Sequence, residues 1–137
     1  MDLSNLTNIM KINYEDTIRN VIKDVREEYK DLSTDRTCFL YSSLVHDKLK
    51  EKHIISRIIS TIDLGIDYEH RFVLVKDKDK YYLIDLTYRQ FFNNVPQEFI
   101  KLDHDGYQLL DRVGLIKYLG SFSGKIVDND IDNLFFK

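Results

Sequence analysis

The sequence contains one cysteine, one proline and no tryptophan among its 137 residues. A lone cysteine cannot form a disulfide within the chain, so the predicted fold does not depend on oxidation and suits a reducing compartment. Only five glycines are present, and we find neither a glycine-rich phosphate-binding loop nor a metal-ligand spacing such as H-E-x-x-H. We therefore expect a single domain over residues 1–137, with no cofactor and no metal.

Charge of one sign and long apolar runs are also scarce. The formal net charge is −3 and the basic residues are scattered, so no Lys/Arg stripe of the kind that binds nucleic acid is present. No segment approaches the ~18 consecutive apolar residues of a membrane span. The first residues lack the basic and apolar regions of a signal peptide. These absences predict a soluble cytosolic protein whose partner is neither nucleic acid nor membrane.

Two amphipathic helices are predicted in the first half of the chain. Apolar residues recur at three- and four-residue spacing from about Tyr14 to Lys30. A second helix follows Ser33, Thr34 and Asp35, which are residue types that cap helices. Cys38 then lies in the first turn, where the helix dipole and unpaired backbone N–H groups favour a thiolate. A free cysteine is also commonly a small buried apolar residue, so this position alone leaves both interpretations open.

The segment from Glu69 to Phe92 predicts two strands joined by a tight polar turn. Bulky β-branched and aromatic residues flank the charged residues Asp77–Lys80 on both sides. His70 opens the first strand and Asp85 closes the second. Because the start of one antiparallel strand lies beside the end of the next, we expect the imidazole and the carboxylate to be neighbours.

The remaining segments complete an α+β prediction, with N-terminal helices packed on an antiparallel sheet. Ile54–Asp63 is rich in isoleucine and predicts a strand, and Asp103–Gly106 predicts a turn. Leu109–Leu119 predicts a short helix that stops at Gly120. His46 follows Cys38 by eight residues on the same helix, about 12 Å away, which is too far for a catalytic partner.

Three residues together have the chemistry of a thiol-dependent catalyst. Cys38 supplies a nucleophile, and His70 supplies a base that deprotonates it and later protonates the leaving amine. Asp85 fixes the tautomer of the imidazole. A helix packed on the sheet brings Cys38 to the edge where His70 is expected.

The stretch H-R-F-V-L-V-K-x-x-x-K-Y-Y-L-I-D-L-T-Y-R-Q-F resembles the His/Asp half of papain-like thiol enzymes of bacterial toxins and effectors. These include the catalytic domain of dermonecrotic toxins of the Pasteurella type, the type III effector deamidases and the YopT-like effector proteases. The resemblance covers about Asp35 to Phe92. It implies a papain-like (transglutaminase-like) fold, a Cys38–His70–Asp85 triad and a virulence role in a host cell cytoplasm.

The resemblance also implies that Gln90, five residues after Asp85, belongs to the site. The cysteine segment departs from the family pattern, because T-D-R-T-C-F-L-Y-S-S lacks a glycine-rich run and position 32 is leucine, where papain proper has a glutamine upstream. The expected oxyanion donors are therefore the backbone N–H of Cys38 and either Gln90 or a further backbone group.

Several reactions share this chemistry. Attack on a glutamine side chain followed by water is deamidation, resolution by an amine is transglutamination, and attack on a peptide bond is proteolysis. The resemblance favours deamidation of a protein glutamine, with a cysteine protease or a transglutaminase as the alternative. A catalytically silent binding module that captures a partner by its sheet edge is a hypothesis of a different class.

Overall fold

A computed structural model of the chain describes residues 13–29, 37–66, 69–91 and 94–122, without the side chains of Thr37, Gln90 and Phe91. Within these ranges the principal elements are four α-helices and four strands. In chain order they are α1 (Tyr14–Glu28), α2 (Thr37–Glu51), β1 (Arg57–Ser60), β2 (Arg71–Asp77), β3 (Lys80–Ile84), α3 (Ile100–Asp105), β4 (Tyr107–Leu110) and α4 (Arg112–Gly120). None of the described helices has the length and apolar character required to span a bilayer.

The strands form one antiparallel meander in the order β1-β2-β3-β4. The predicted hairpin is confirmed: Asp77 of β2 faces Lys80 of β3, and Leu74 faces Leu83. Lys78 has φ 58, the left-handed conformation that suits the short turn between twisted strands. His70 directly precedes β2 and Asp85 directly follows β3, so both lie at the same end of the hairpin.

Each face of the sheet is covered by its own apolar cluster. Alternation along β2 sends Val73 toward α1 and α2, and sends Phe72 toward the C-terminal helices. The cluster on the first face contains Ile18, Val21, Ile22, Val25, Val45, Leu49, Ile54, Val73, Val75, Tyr82, Ile84 and Tyr107. The second cluster is rich in aromatic residues and includes Tyr88, Phe99, Tyr118 and Phe122. The protein is therefore an α+β structure with helices on both faces of an antiparallel sheet, as far as the residues above describe it.

Helix α1 confirms the predicted packing helix, with an end point that differs slightly. The helix begins after Asn13, whose side chain accepts a hydrogen bond from the backbone N–H of Asp16 at 3.2 Å. Helical residues end at Glu28, and Tyr29 caps the helix through a backbone bond to Val25; Lys30, the predicted end, lies outside the described residues. The apolar periodicity continued to Tyr29, which is why the sequence predicted a longer helix.

The predicted strand over Ile54–Asp63 is only partly correct. The strand runs from Arg57 to Ser60, and a 3-10 helix over Thr61–Leu64 follows it. The chain turns at this point because the backbone N–H of Thr61 bonds the carbonyl of His70 and the helix ends at a left-handed Gly65.

The prediction for the last third of the chain was wrong in two places. Asp103–Gly106 is the end of helix α3 with Gly106 as its left-handed C-cap, and it is not a simple turn. The predicted helix Leu109–Leu119 begins only at Arg112, where Asp111 caps it by accepting from the N–H of Gly114 at 2.8 Å. Leu109 and Leu110, the first residues of the predicted helix, belong to β4. The pairing of β4 with β3 is a tertiary interaction, which a four-residue strand does not reveal in the sequence.

Candidate active site

The predicted His–Asp pair is confirmed in geometry. His70 Nε2 lies 2.7 Å from Asp85 Oδ2, and both residues are buried, with relative exposures of 0% and 3%. In this arrangement the N–H at Nε2 donates to the carboxylate, which leaves Nδ1 to act on a neighbouring group. The short distance at a buried position is typical of a charge-assisted hydrogen bond.

Asp85 accepts hydrogen bonds at both carboxylate oxygens. Oδ2 accepts from the hydroxyl of Tyr118 at 2.6 Å as well as from His70. Oδ1 accepts from the backbone N–H of Thr87 at 3.1 Å and from its hydroxyl at 3.4 Å. The backbone of Asp85 is held separately, since its N–H donates to the carbonyl of Gly106 at 3.0 Å. The carboxylate is therefore oriented from three elements of the fold.

Cys38 lies in the first turn of α2 and is buried, with 6% exposure. Burial raises the pKa of its thiol, but hydrogen bonds from the His70 side chain and from the backbone N–H of Arg71 outweigh burial, so the pKa is lowered. Because Asp85 takes Nε2, Nδ1 is the ring nitrogen of His70 that remains for the thiol. The three predicted triad residues thus lie together, with the imidazole hydrogen-bonded to the carboxylate and interacting with the thiol.

His70 has the complementary shift. Burial by itself lowers the pKa of the imidazole, but the charge and hydrogen bond of Asp85, together with the interaction with Cys38, raise it to about 9. A raised pKa at His70 and a lowered pKa at Cys38 both favour the thiolate–imidazolium form of the pair. This is the charge state that a cysteine nucleophile requires.

The site lies at the end of the sheet, where the two layers meet. Helix α2 packs on the face that carries Val73, whereas the imidazole of His70 lies against Phe122, with ring centroids 5.3 Å apart, in the cluster on the opposite face. His70 stands before the first residue of β2, so its interaction with the thiol of Cys38 takes place at the end of that strand. A cavity of about 10 Å³ beside Cys38 has roughly the volume that one water requires.

A clamp on the backbone of His70 was not predicted. Thr61 is fully buried; its hydroxyl accepts from the N–H of His70 at 2.8 Å, and its own N–H donates to the His70 carbonyl at 3.0 Å. Thr61 and Tyr118 were both missed from the sequence, since their contacts depend on how distant segments meet. The only sequence signal was chemical: a buried threonine or tyrosine needs a hydrogen-bond partner.

The outer rim of the site carries a fixed ion pair. Arg71 donates from Nε and Nη2 to Glu69 Oε1 at 3.1 and 3.0 Å, and its guanidinium lies over the ring of Phe39, 4.2 Å from the centroid. Phe39 directly follows Cys38, while Glu69 and Arg71 flank His70. The stacked arginine therefore links the helix of the thiol to the strand of the imidazole.

Gln90 and His46 complete the set of candidate residues from the sequence. Gln90 is in a 3-10 helix, Tyr88–Phe91, that follows the Asp85 turn, but its side chain is not among those described, so its role stays a prediction. His46 Nδ1 lies 2.7 Å from Ser56 Oγ, away from the thiol as expected. The described residues contain no group of His, Cys, Asp and Glu side chains suited to a metal ion.

A larger concavity lies elsewhere on the surface. It has a volume of about 410 Å³ and is lined by Arg19, Lys23, Arg26, His104 and Tyr107 together with Ile22, Glu27 and Asp105. None of the triad residues lines it. The concentration of hydrogen-bonded titratable groups, and not the size of a pocket, is what marks Cys38, His70 and Asp85 as the candidate active site.

The fold and site define an α+β protein with a buried Cys-His-Asp arrangement at the end of an antiparallel sheet. Comparison of the chain with protein-family models, with curated proteins and with solved structures finds no match in any of the three.

Proposed function

We propose that the chain is a cysteine-dependent amide hydrolase of papain-like fold that deamidates a glutamine side chain of a target protein. Cys38 is the nucleophile, His70 the general base and acid, and Asp85 the residue that orients the imidazole. The observation that carries the proposal is the buried series of thiol, imidazole and carboxylate, in which the carboxylate holds Nε2 at 2.7 Å and the imidazole interacts with the thiol. A cysteine that served only for packing has no need of such a series.

The chemistry follows from the two nitrogens of the imidazole: Nε2 is held by Asp85, and Nδ1 exchanges protons with the reacting groups. The Cys38 thiolate attacks the carbonyl carbon of the glutamine amide, and the tetrahedral oxyanion collapses with cleavage of the C–N bond. The imidazolium of His70 gives its proton to the departing nitrogen, so ammonia leaves and a thioester remains. Neutral His70 then takes a proton from water, the hydroxide attacks the thioester, and glutamate and the free thiol are released.

The oxyanion needs donors that are in place before attack. The backbone N–H of Cys38, in the first turn of α2, is one candidate. Gln90 is the second, on the strength of its position five residues after Asp85 in the sequence. The backbone N–H of Arg71 has a different role, since it lowers the pKa of the Cys38 thiol.

The surroundings of the thiol support a small substrate group. Cys38 is only 6% exposed, so the approach to its sulfur is narrow. A glutamine side chain presents a slender terminal amide at the end of a flexible stem, whereas a protease must admit an extended backbone on both sides of the scissile bond. Together with the resemblance to toxin and effector deamidases, this supports deamidation, and a bacterial effector acting in a host cytosol, over proteolysis and transglutamination.

The proposal is tested first at the thiol. Wild-type protein should react with iodoacetamide at Cys38 well below pH 8.5, about the pKa of a free thiol, because His70 and Arg71 stabilise the thiolate. The His70→Ala variant should react only as the pH approaches the ordinary range. A wild-type thiol that titrates like free cysteine would instead favour a binding module.

The reaction itself is tested with a blocked glutaminyl-glycine dipeptide and with intact glutamine-containing proteins. Wild type should release ammonia from the dipeptide and raise the mass of a protein substrate by about one unit per glutamine, while Cys38→Ala should do neither. Cleaved chains would identify a protease, and joined chains a transglutaminase. Intact-mass measurement separates the three results in a single experiment.

A further inference from the structure

Tyr118 brings a second hydrogen-bond donor to the carboxylate oxygen that binds the imidazole. Its hydroxyl donates to Asp85 Oδ2 at 2.6 Å, and His70 Nε2 lies 2.7 Å from the same oxygen. We propose that Tyr118 is a positioning residue of the active site. Its hydroxyl holds the Asp85 carboxylate toward His70 and weakens the attraction of the carboxylate for the imidazole proton. This inference rests on the proposed function and assigns a role to a residue that the triad does not require.

The position of the hydroxyl is set by the packing of the ring. Tyr118 is fully buried on α4, and its ring meets Phe72 and Phe122 edge to face, with centroids 5.1 Å apart in both cases. These contacts restrict the two side-chain torsions that direct the hydroxyl. The donor therefore approaches Asp85 from a rigid aromatic cluster, and the carboxylate loses the freedom to rotate away from His70.

The chemical effect follows from sharing one oxygen between two donors. A carboxylate oxygen that already accepts a hydrogen bond from a hydroxyl attracts an imidazolium less strongly. Without the Tyr118 hydroxyl, Asp85 Oδ2 keeps its hydrogen bond with His70. The imidazolium is then held more strongly and releases its proton less readily, which slows the step that protonates the leaving nitrogen.

The titratable and charged groups around His70 come from each neighbouring element. Asp85 faces it from the end of β3, Cys38 from α2, and Tyr118 acts from α4 through the carboxylate. Glu69 and Arg71 flank His70 in the chain and neutralise one another through their own ion pair. Removing the Tyr118 hydroxyl changes none of these charges, so its effect is separable from theirs.

The test compares Tyr118→Phe with Tyr88→Phe. Tyr88 is buried in the same cluster, its ring centroid lies 5.4 Å from that of Tyr118, and its hydroxyl lies 3.2 Å from Ser121 Oγ. The pKa of His70 is followed by NMR titration of the imidazole, and the pH profile of Cys38 alkylation is recorded on the same samples. Tyr118→Phe should raise the pKa of His70 by about one unit and move the upper limb of the alkylation profile upward by a similar amount. Tyr88→Phe should move neither.

Each other outcome has a definite meaning. An unchanged His70 titration in folded Tyr118→Phe, or equal shifts in the two variants, overturns the proposal, because the hydroxyl would then act only through packing. If Tyr118→Phe does not fold, a ring-fluorinated tyrosine placed at position 118 is a stronger donor and should lower the pKa of His70; a rise or no change overturns the proposal. Failure of the proposed function is distinguished by ammonia release, since the His70 titration requires neither substrate nor turnover.

Discussion

Asp85 has the densest set of hydrogen bonds in the candidate site. Its two oxygens accept from His70, Thr87 and Tyr118, and its backbone N–H donates to Gly106. A buried carboxylate costs free energy unless such donors are present, and these bonds offset that cost for a side chain at 3% exposure. Replacement by asparagine changes the chemistry of this side chain and keeps its shape.

Asp85→Asn should leave the fold intact and reduce turnover by a large factor. An amide nitrogen facing Nε2 favours the imidazole tautomer with its proton on Nδ1, which is the wrong tautomer for deprotonating Cys38. We expect a loss of roughly 10⁴-fold in kcat, measured by ammonia release, with a near-normal circular dichroism spectrum. A folded variant that keeps nearly full activity would show that another residue orients His70.

The same substitution predicts a pH dependence of stability. The pKa of His70 is about 9 in the folded protein, against 6.5 for an ordinary histidine. The raised pKa therefore stabilises the folded state fully below pH 6.5, and this stabilisation is lost as pH rises through 9. In Asp85→Asn this contribution should be missing. The stability gap between the two proteins should therefore be up to about 3 kcal/mol larger near pH 6 than near pH 9.5.

Urea unfolding at a series of pH values measures this gap. Both proteins should carry Cys38→Ala, because the lowered pKa of the thiol adds stability as pH rises and acts in the opposite sense. Cys38 also contributes to the raised pKa of His70, so the gap in this background should have the same sign and be smaller than the upper figure above. A gap that stays constant from pH 6 to 9.5 would contradict the raised pKa of His70.

At the scale of elements, the turn between α3 and β4 packs against the segment that carries Asp85. Gly106 has φ +80, and a Cβ there would lie 2.5 Å from Leu86 Cδ2 and 3.1 Å from Ile22 Cγ2. Leu86 follows Asp85, whose N–H bonds the Gly106 carbonyl. The packing of this turn is therefore coupled directly to the position of the carboxylate.

Gly106→Ala should destabilise the protein by more than the left-handed backbone alone accounts for. Gly65→Ala is a matched control, because Gly65 has φ +81 and a Cβ there meets nothing within 4 Å. The control should lose about 1–2 kcal/mol, while Gly106→Ala should lose more and should also slow Cys38 alkylation. Urea unfolding and alkylation on both variants provide the comparison, and equal losses with unchanged alkylation would remove the link to Asp85.

The 3-10 helix Tyr88–Phe91 carries the remaining predicted site residue. If Gln90 donates to the oxyanion, Gln90→Ala should lower kcat by about 10²–10³-fold with nearly normal Cys38 alkylation. Gln97→Ala, at an exposed position in another 3-10 helix, is the control for loss of a glutamine. A loss of activity that follows melting temperature would assign Gln90 a structural role, and unchanged turnover would direct the search to a backbone donor.

These elements show how far sequence reasoning extends. The hairpin and its flanking His70 and Asp85 were predictable because residue types and turn chemistry within 16 positions determine them. Cys38 at a helix start was predictable from the local pattern, although the predicted capping residues Ser33, Thr34 and Asp35 lie outside the described residues. Tyr118 and β4 were not, because a strand of four residues and a buried hydroxyl acquire their partners only through contacts between distant segments.

At the scale of the whole molecule, the site is assembled from both layers of the fold. The thiol comes from α2 on one face, and the imidazole and carboxylate pack with the aromatic cluster of the other face. Neither layer alone contains the complete series. A substitution in either core that shifts the layers should therefore reduce thiol reactivity even when it lies far from Cys38.

This division between layers has a consequence for the order of folding. His70 and Asp85 are 15 positions apart and are brought together by one hairpin, whereas Asp85 and Tyr118 are 33 positions apart and Cys38 joins from an earlier helix. Local contacts close before distant ones, because loop closure costs more entropy as the separation grows. In a refolding experiment with pulsed iodoacetamide, we expect hairpin amides to gain protection before Cys38 becomes an activated thiolate. A chain caught midway through folding would then display an ordinary thiol, and nucleophilic reactivity would appear only in molecules whose two layers have already closed.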